Sequence, residues 1–252
     1  MRAPSLPLVF AGWLGRVPAL CAVCRSWPAR PVCDACVARF APPVARCRCC
    51  AIPVGAGVAR CGQCLLSPPP LDACVAACSY DWPWAEQIGR FKFQGEAGWA
   101  GTFATLMRSA PWAEPLLDQA ALVLPVPLAP GRLRERGFNQ SLELARRLAP
   151  AKCDATLLLR IRETQAQSGL PRAARLRNLH GAFALAPQRT DAVRGRQVVL
   201  VDDVMTSGAS LYACARTLRA HGAAGVSALV LARTDHPGTV ERTDRPDLAT
   251  EA

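Results

Sequence analysis

Two patterns of apolar and polar positions divide this chain. Beyond residue 72 the apolar residues gather into short runs at 73–80, 122–127, 156–161, 182–185, 198–201 and 226–231. Their length and their β-branched or small residues predict strands. Between them, 86–93, 97–109, 139–148 and 209–220 place apolar residues at helical spacing, as with Leu211, Ala215 and Leu218. Strand alternating with helix is the signature of an α/β fold. Before residue 67 the periodicity fades and cysteine sets the pattern. Ser67-Pro68-Pro69-Pro70 lies between the two regimes as a stiff extended joint. The expected organisation is an N-terminal cysteine-rich part (1–66), a connector (67–72), a main domain (73–234) and a polar, Pro-bearing, disordered tail (235–252).

The most informative stretch is Val198 to Ser210, VVLVDDVMTSGAS. An apolar strand meets Asp202 and Asp203, a short loop follows, and a helix begins. Open α/β sheets bind ligands at the C-terminal ends of their strands. Thr206, Ser207, Gly208, Ala209 and Ser210 can present hydroxyls and backbone N–H groups to a phosphate, at a helix N-terminus that favours an anion. The adjacent carboxylates suit vicinal ribose hydroxyls. The competing reading is a buried strand whose acidic end caps the next helix.

Thirteen cysteines are present, eleven of them between Cys21 and Cys78. Eight form the pairs Cys21/Cys24, Cys33/Cys36, Cys47/Cys50 and Cys61/Cys64, with 8, 10 and 10 residues between pairs. A CxxC turn aims two thiolates at one ion, and two such turns complete a tetrahedron. Closed, structural, all-cysteine zinc sites in a reducing cytoplasm are expected rather than disulfides. Sequential pairing is the simplest arrangement, though the spacing does not settle it, and Cys49 competes inside the third pair. Cys74 and Cys78 sit on apolar positions and read as core thiols.

Charge adds a partner class. The formal net charge is +11, which favours phosphates, nucleic acid or an acidic surface, although an arginine-rich composition alone produces the same figure. Arg132, Arg134 and Arg136, set between Gly131 and Gly137, read as a cationic loop facing a ligand. Lys92, one of only two lysines, stands between Phe91 and Phe93; a snorkelling surface position is the favoured reading over a ligand contact. The Arg-rich 162–181 reads either as an active-site lid or as an exposed basic helix. Residues 5–17 read as an apolar segment packed on the domain, and no apolar run reaches the ~18 residues of a membrane span.

Taken in order, the cysteine pairs, LLSPPP, LPVPLAP-x5-RGFNQS, Gln167-Ser168-Gly169-Leu170, Arg175-x2-Asn178, Gly181-Ala182-Phe183 and VVLVDDVMTSGAS resemble the ComF family, over about Cys21 to Arg233. The acid pair and its loop are similar to the 5-phosphoribosyl 1-pyrophosphate (PRPP) motif of type I phosphoribosyltransferases, with Ser207 where threonine is usual. The resemblance implies a twisted, mainly parallel sheet with helices on both faces, plus a small double zinc ribbon. It implies PRPP and Mg²⁺ held at Asp202, Asp203 and 206–210, with the arginines near pyrophosphate. It implies a role in natural transformation, with single-stranded DNA and competence or helicase-type DNA-processing proteins as partners. A non-catalytic nucleic-acid-binding adaptor, or a PRPP sensor retaining the fold, is the rival expectation.

Overall fold

The structure, a computed structural model, describes residues 19–27, 29–162, 179 and 181–235. The expectations placed on 5–17, on the tail from 236 and on most of the proposed lid (163–178 and 180) fall outside the described residues. Two short helices, α1 (Asp34–Phe40) and α2 (Gly62–Leu66), precede β1 (Cys74–Ser79). Then come α3 (Trp84–Phe93), α4 (Trp99–Ser109), α5 (Ala113–Gln119), β2 (Leu122–Pro125), α6 (Pro130–Arg136) and α7 (Gln140–Leu148). The chain continues through β3 (Leu158–Arg160), β4 (Phe183–Leu185), a 3-10 segment (Pro187–Val193), β5 (Gln197–Met205), α8 (Ala209–Ala220) and β6 (Gly225–Arg233).

Four strands form a parallel sheet in the order β1-β6-β5-β2. The central β5 has apolar residues on both faces because both faces are covered. Val198 and Leu200 join Leu211, Ala215 and Leu218 of α8 in one core. Val199 and Val201 join Phe91, Phe103, Met107, Leu144 and Leu148 from α3, α4 and α7 in the other. This two-residue alternation sorts one strand into two layers. β5 and β6 pair from Gln197↔Gly225 to Met205↔Arg233, so both strands finish level, beside the loop at 206–208.

The expected strand at 156–161 is shorter and lies off the main sheet. β3 pairs antiparallel with β4, and Thr217 Oγ1 of α8 donates to Phe183 O across 3.4 Å. α5 was not expected: no element is predicted between 109 and 122. Pro115 occupies the helix's first turn, where a backbone N–H has no intrahelical partner.

The cationic stretch at 132–136 is helical, not a loop. Ala129 is extended, Pro130 opens α6, and Gly137 closes it at φ 77° while its N–H donates to Leu133 O. Proline at the start and a left-handed glycine at the end are helix-boundary chemistry. Asn139 then caps α7, its side-chain oxygen accepting from Ser141 N at 3.0 Å.

Candidate functional site

A cavity of about 550 Å³ opens beyond the ends of β2 and β5. Its lining includes Lys92, Arg132, Arg136, Asp202, Asp203, Thr206, Gly208, Ala209 and Ser210. Of the predicted phosphate and ribose residues, Ser207 and Arg134 are outside this lining. Ser207 instead accepts from Ala209 N across 3.4 Å, which shapes the turn.

The loop depends on Gly208. Its φ is +79°, and a Cβ there would lie 2.6 Å from Tyr212 Cζ and 2.7 Å from Met205 Cε. Only glycine combines the left-handed backbone with that close approach. Ala209 then starts α8, so the helix N-terminus faces the cavity with its first turn.

The two carboxylates have different surroundings. Asp203 is 7% exposed, and Lys92 Nζ lies 2.8 Å from its Oδ1. Lys92 is therefore not the snorkelling surface side chain that its sequence context favoured. The last turn of α3 points it inward, and its own side chain is only 14% exposed. Asp202 accepts from Ser141 Oγ at 2.8 Å. Because Asn139 supplies the cap of α7, the Ser141 hydroxyl is available for this bond. Burial and the neighbouring Asp203 push the Asp202 carboxyl up to about 7, against the lowering effect of Ser141 and Lys92. A carboxyl raised by burial and a neighbouring like charge, facing a cavity lined by cations, marks a candidate functional site.

Several lining residues escaped sequence reasoning. Tyr80, Glu135 and Arg160 all face the cavity, as does Phe93 beside Lys92. Arg136 lies over the Phe93 ring at 5.2 Å, and Arg160 over Phe183 at 5.5 Å. Arg160 sits at the end of a strand that joins a separate sheet, so its linear context carries no trace of the cavity. Lys92 did leave a signal, since lysine is rare in this arginine-rich chain.

The cysteines form two closed sets. Sγ atoms of Cys21, Cys24, Cys33 and Cys36 lie within 4.8 Å of one another, as do those of Cys47, Cys50, Cys61 and Cys64. Pairing is thus sequential, and Cys49 belongs to neither set. Cys24 Sγ to Cys33 Sγ is 3.6 Å and Cys50 Sγ to Cys61 Sγ is 3.7 Å. A zinc tetrahedron with bonds of about 2.3 Å has edges of about 3.8 Å, so the donors fit zinc. Backbone amides reinforce this: Cys33 N donates to Cys21 Sγ at 3.4 Å, and Cys61 N to Cys47 Sγ at 3.3 Å. Such bonds steady thiolate ligands. By contrast, burial pushes the Cys74 and Cys78 thiols up to about 12, as suits core side chains.

Comparison with known proteins agrees with this geometry. The phosphoribosyl transferase domain family matches residues 104–250. DNA utilization protein YhgH of Salmonella typhi is 34% identical over 180 residues, covering 68% of this chain and 76% of the relative. Competence protein F of Haemophilus influenzae is 34% identical over 177 residues, with the same two coverages. The chain belongs to the ComF family. Competence protein ComFC of Bacillus subtilis is a further relative, 31% identical over 150 residues and 59% of each chain. Membership fits the parallel sheet, the helices on both faces and the four-cysteine clusters. Among the described residues, no helix is long and apolar enough to cross a membrane.

Proposed function

We propose that this ComF-family chain binds PRPP with Mg²⁺ in the cavity at the ends of β2 and β5. The observation that carries the reading is convergence. An acid pair, a glycine-dependent loop at a helix N-terminus and two arginines from another helix line a single cavity. In this reading Thr206, Gly208, Ala209 and Ser210 hold the 5′-phosphate and the acid pair holds the ribose hydroxyls. Arg132 and Arg136 face the pyrophosphate, where a guanidinium offsets leaving-group charge. Lys92 holds the Asp203 carboxylate in place. Bound Mg²⁺ would neutralise and order the pyrophosphate. Departure of pyrophosphate leaves a cationic ribose C1, and the fixed ribose and phosphate ends align that carbon for an acceptor.

The relatives' names, a DNA utilization protein and competence proteins, point the proposal toward single-stranded DNA in natural transformation. The +11 charge supports an affinity that falls with salt. Zinc at the two cysteine sets is part of the same proposal. Calorimetric titration with PRPP and Mg²⁺ tests it, with an Asp202→Asn, Asp203→Asn variant alongside. Saturable binding by the native chain and none by the variant is expected, while both bind a single-stranded oligonucleotide in low salt. Equal PRPP affinity in the two proteins would remove the acid pair from the site.

A further inference from the structure

Arg233, the last residue of β6, is buried at 6% exposure and lies outside the cavity lining. Its Nε donates to Cys50 O at 2.8 Å. Its Nη1 donates to Met205 O at 3.0 Å and to Thr206 O at 2.6 Å, and also meets Thr234 O. Cys50 belongs to the second cysteine set, while Met205 and Thr206 lead into the phosphate loop. A single rigid guanidinium therefore joins backbone carbonyls of both structures.

Packing repeats the connection. Cys47, Cys50 and Cys64 share a hydrophobic core with Met205, Ala209 and Tyr212. Tyr212 is the ring that leaves no room for a side chain at Gly208. Cys74 Sγ, below them, lies 3.6 Å from Met205 Sδ. Among the described residues, the first cysteine set has none of these contacts. Its Cys21 and Cys36 lie in the core on the opposite side of the sheet, with Trp84 and Ile88.

We propose that the second cysteine set is the footing of the phosphate loop, with Arg233 as the positioning residue between them. Metal at Cys47, Cys50, Cys61 and Cys64 fixes the Cys50 carbonyl. Arg233 carries that position to the carbonyls of Met205 and Thr206. Affinity for a phosphoribosyl ligand then depends on metal in the second set and not on metal in the first. By linkage, the ligand makes the second set hold its metal more tightly by the same factor. The inference rests on the proposed PRPP site.

The test uses the full chain with zinc replaced by cobalt, whose thiolate absorption reports each set. Cys36→Ser leaves only the second set competent, and Cys64→Ser leaves only the first. PRPP with Mg²⁺ should slow loss of cobalt to a chelator in Cys36→Ser and leave it unchanged in Cys64→Ser. Arg233→Met should weaken PRPP binding about tenfold while cobalt absorption at both sets persists, and Arg233→Lys should recover part of it. Amide hydrogen exchange at 205–210 gives a readout without ligand. It should quicken in Cys64→Ser and in either Arg233 variant, but not in Cys36→Ser. Equal exchange in the two cysteine variants, or ligand protection of cobalt at neither set in a chain that binds PRPP, overturns the inference. Failure of the native chain to bind PRPP overturns the site reading instead, and the exchange result still decides the footing.

Discussion

The two cysteine modules are alike in construction and unlike in setting. In each, the leading CxxC turn ends on a residue with left-handed backbone, Arg25 (φ 64°) or Ala51 (φ 55°). In each, the next pair opens a short helix, with Cys33 before α1 and Cys61 before α2. The first module leans on the face covered by α3, α4 and α7, where Trp84 Nε1 donates to Phe40 O at 2.7 Å. Its Cys24 is exposed to solvent. The second module is more deeply set: Cys47, Cys50 and Cys64 are all buried, with Ala51 and Ile52. A repeated motif therefore does not imply a repeated job. On the footing proposed above, the job comes from the face of the sheet against which each copy packs.

The largest contrast should appear in stability. Metal binding in such closed sites supplies folding free energy directly. Cys64→Ser should lower the melting temperature further than Cys36→Ser, because Cys47, Cys50 and Cys64 are buried with Ala51 and Ile52 while Cys24 of the first set is exposed. Calorimetric scans of both variants decide it. Equal melting would make the modules energetically equivalent despite their different burial.

A middle-sized effect separates loop from footing. Gly208→Ala forces a left-handed alanine against Tyr212 and Met205, which costs about 2 kcal/mol. PRPP affinity should collapse while both metal sets stay full by elemental analysis. Native affinity in this variant would show that the loop's shape is not set by glycine.

The smallest effect is in pH. The Asp202 carboxyl is raised to about 7, so the native state favours its protonated form. Its contribution to stability is full in acid and is lost as pH rises through about 7. Ribose hydroxyls donate to the ionised form, so ligand affinity should fall as pH drops below about 7. Ser141→Ala removes a hydrogen bond that favours the ionised form and should move that fall upward by about one pH unit. An unmoved midpoint in calorimetry across pH would detach Ser141 from Asp202. The metal sets should stay loaded throughout that range.

Much of this architecture was legible in the sequence because it rests on local pattern. The runs at 73–80, 198–201 and 226–231, the four CxxC pairs and the acid pair with its loop depend on neighbouring residues only. What was missed depends on distance in the chain. The Lys92–Asp203 pair, the Ser141–Asp202 bond and the Arg233 bonds each join separate elements, and single-strand patterns carry no trace of such pairings. The misread arginine stretch is a different lesson. Pro130 and Gly137 marked a short helix, but the density of charge between them drew attention to the ligand and away from the backbone.

One small contact has a wider consequence. Cys74 N, at the start of the edge strand β1, donates to Arg48 O of the second module at 2.7 Å. An uncovered strand edge is a template on which another chain can add itself. The second cysteine module thus occupies the first backbone N–H of that edge. Removal of metal from the second set should therefore loosen the first residue of β1, which amide exchange at Cys74 reads.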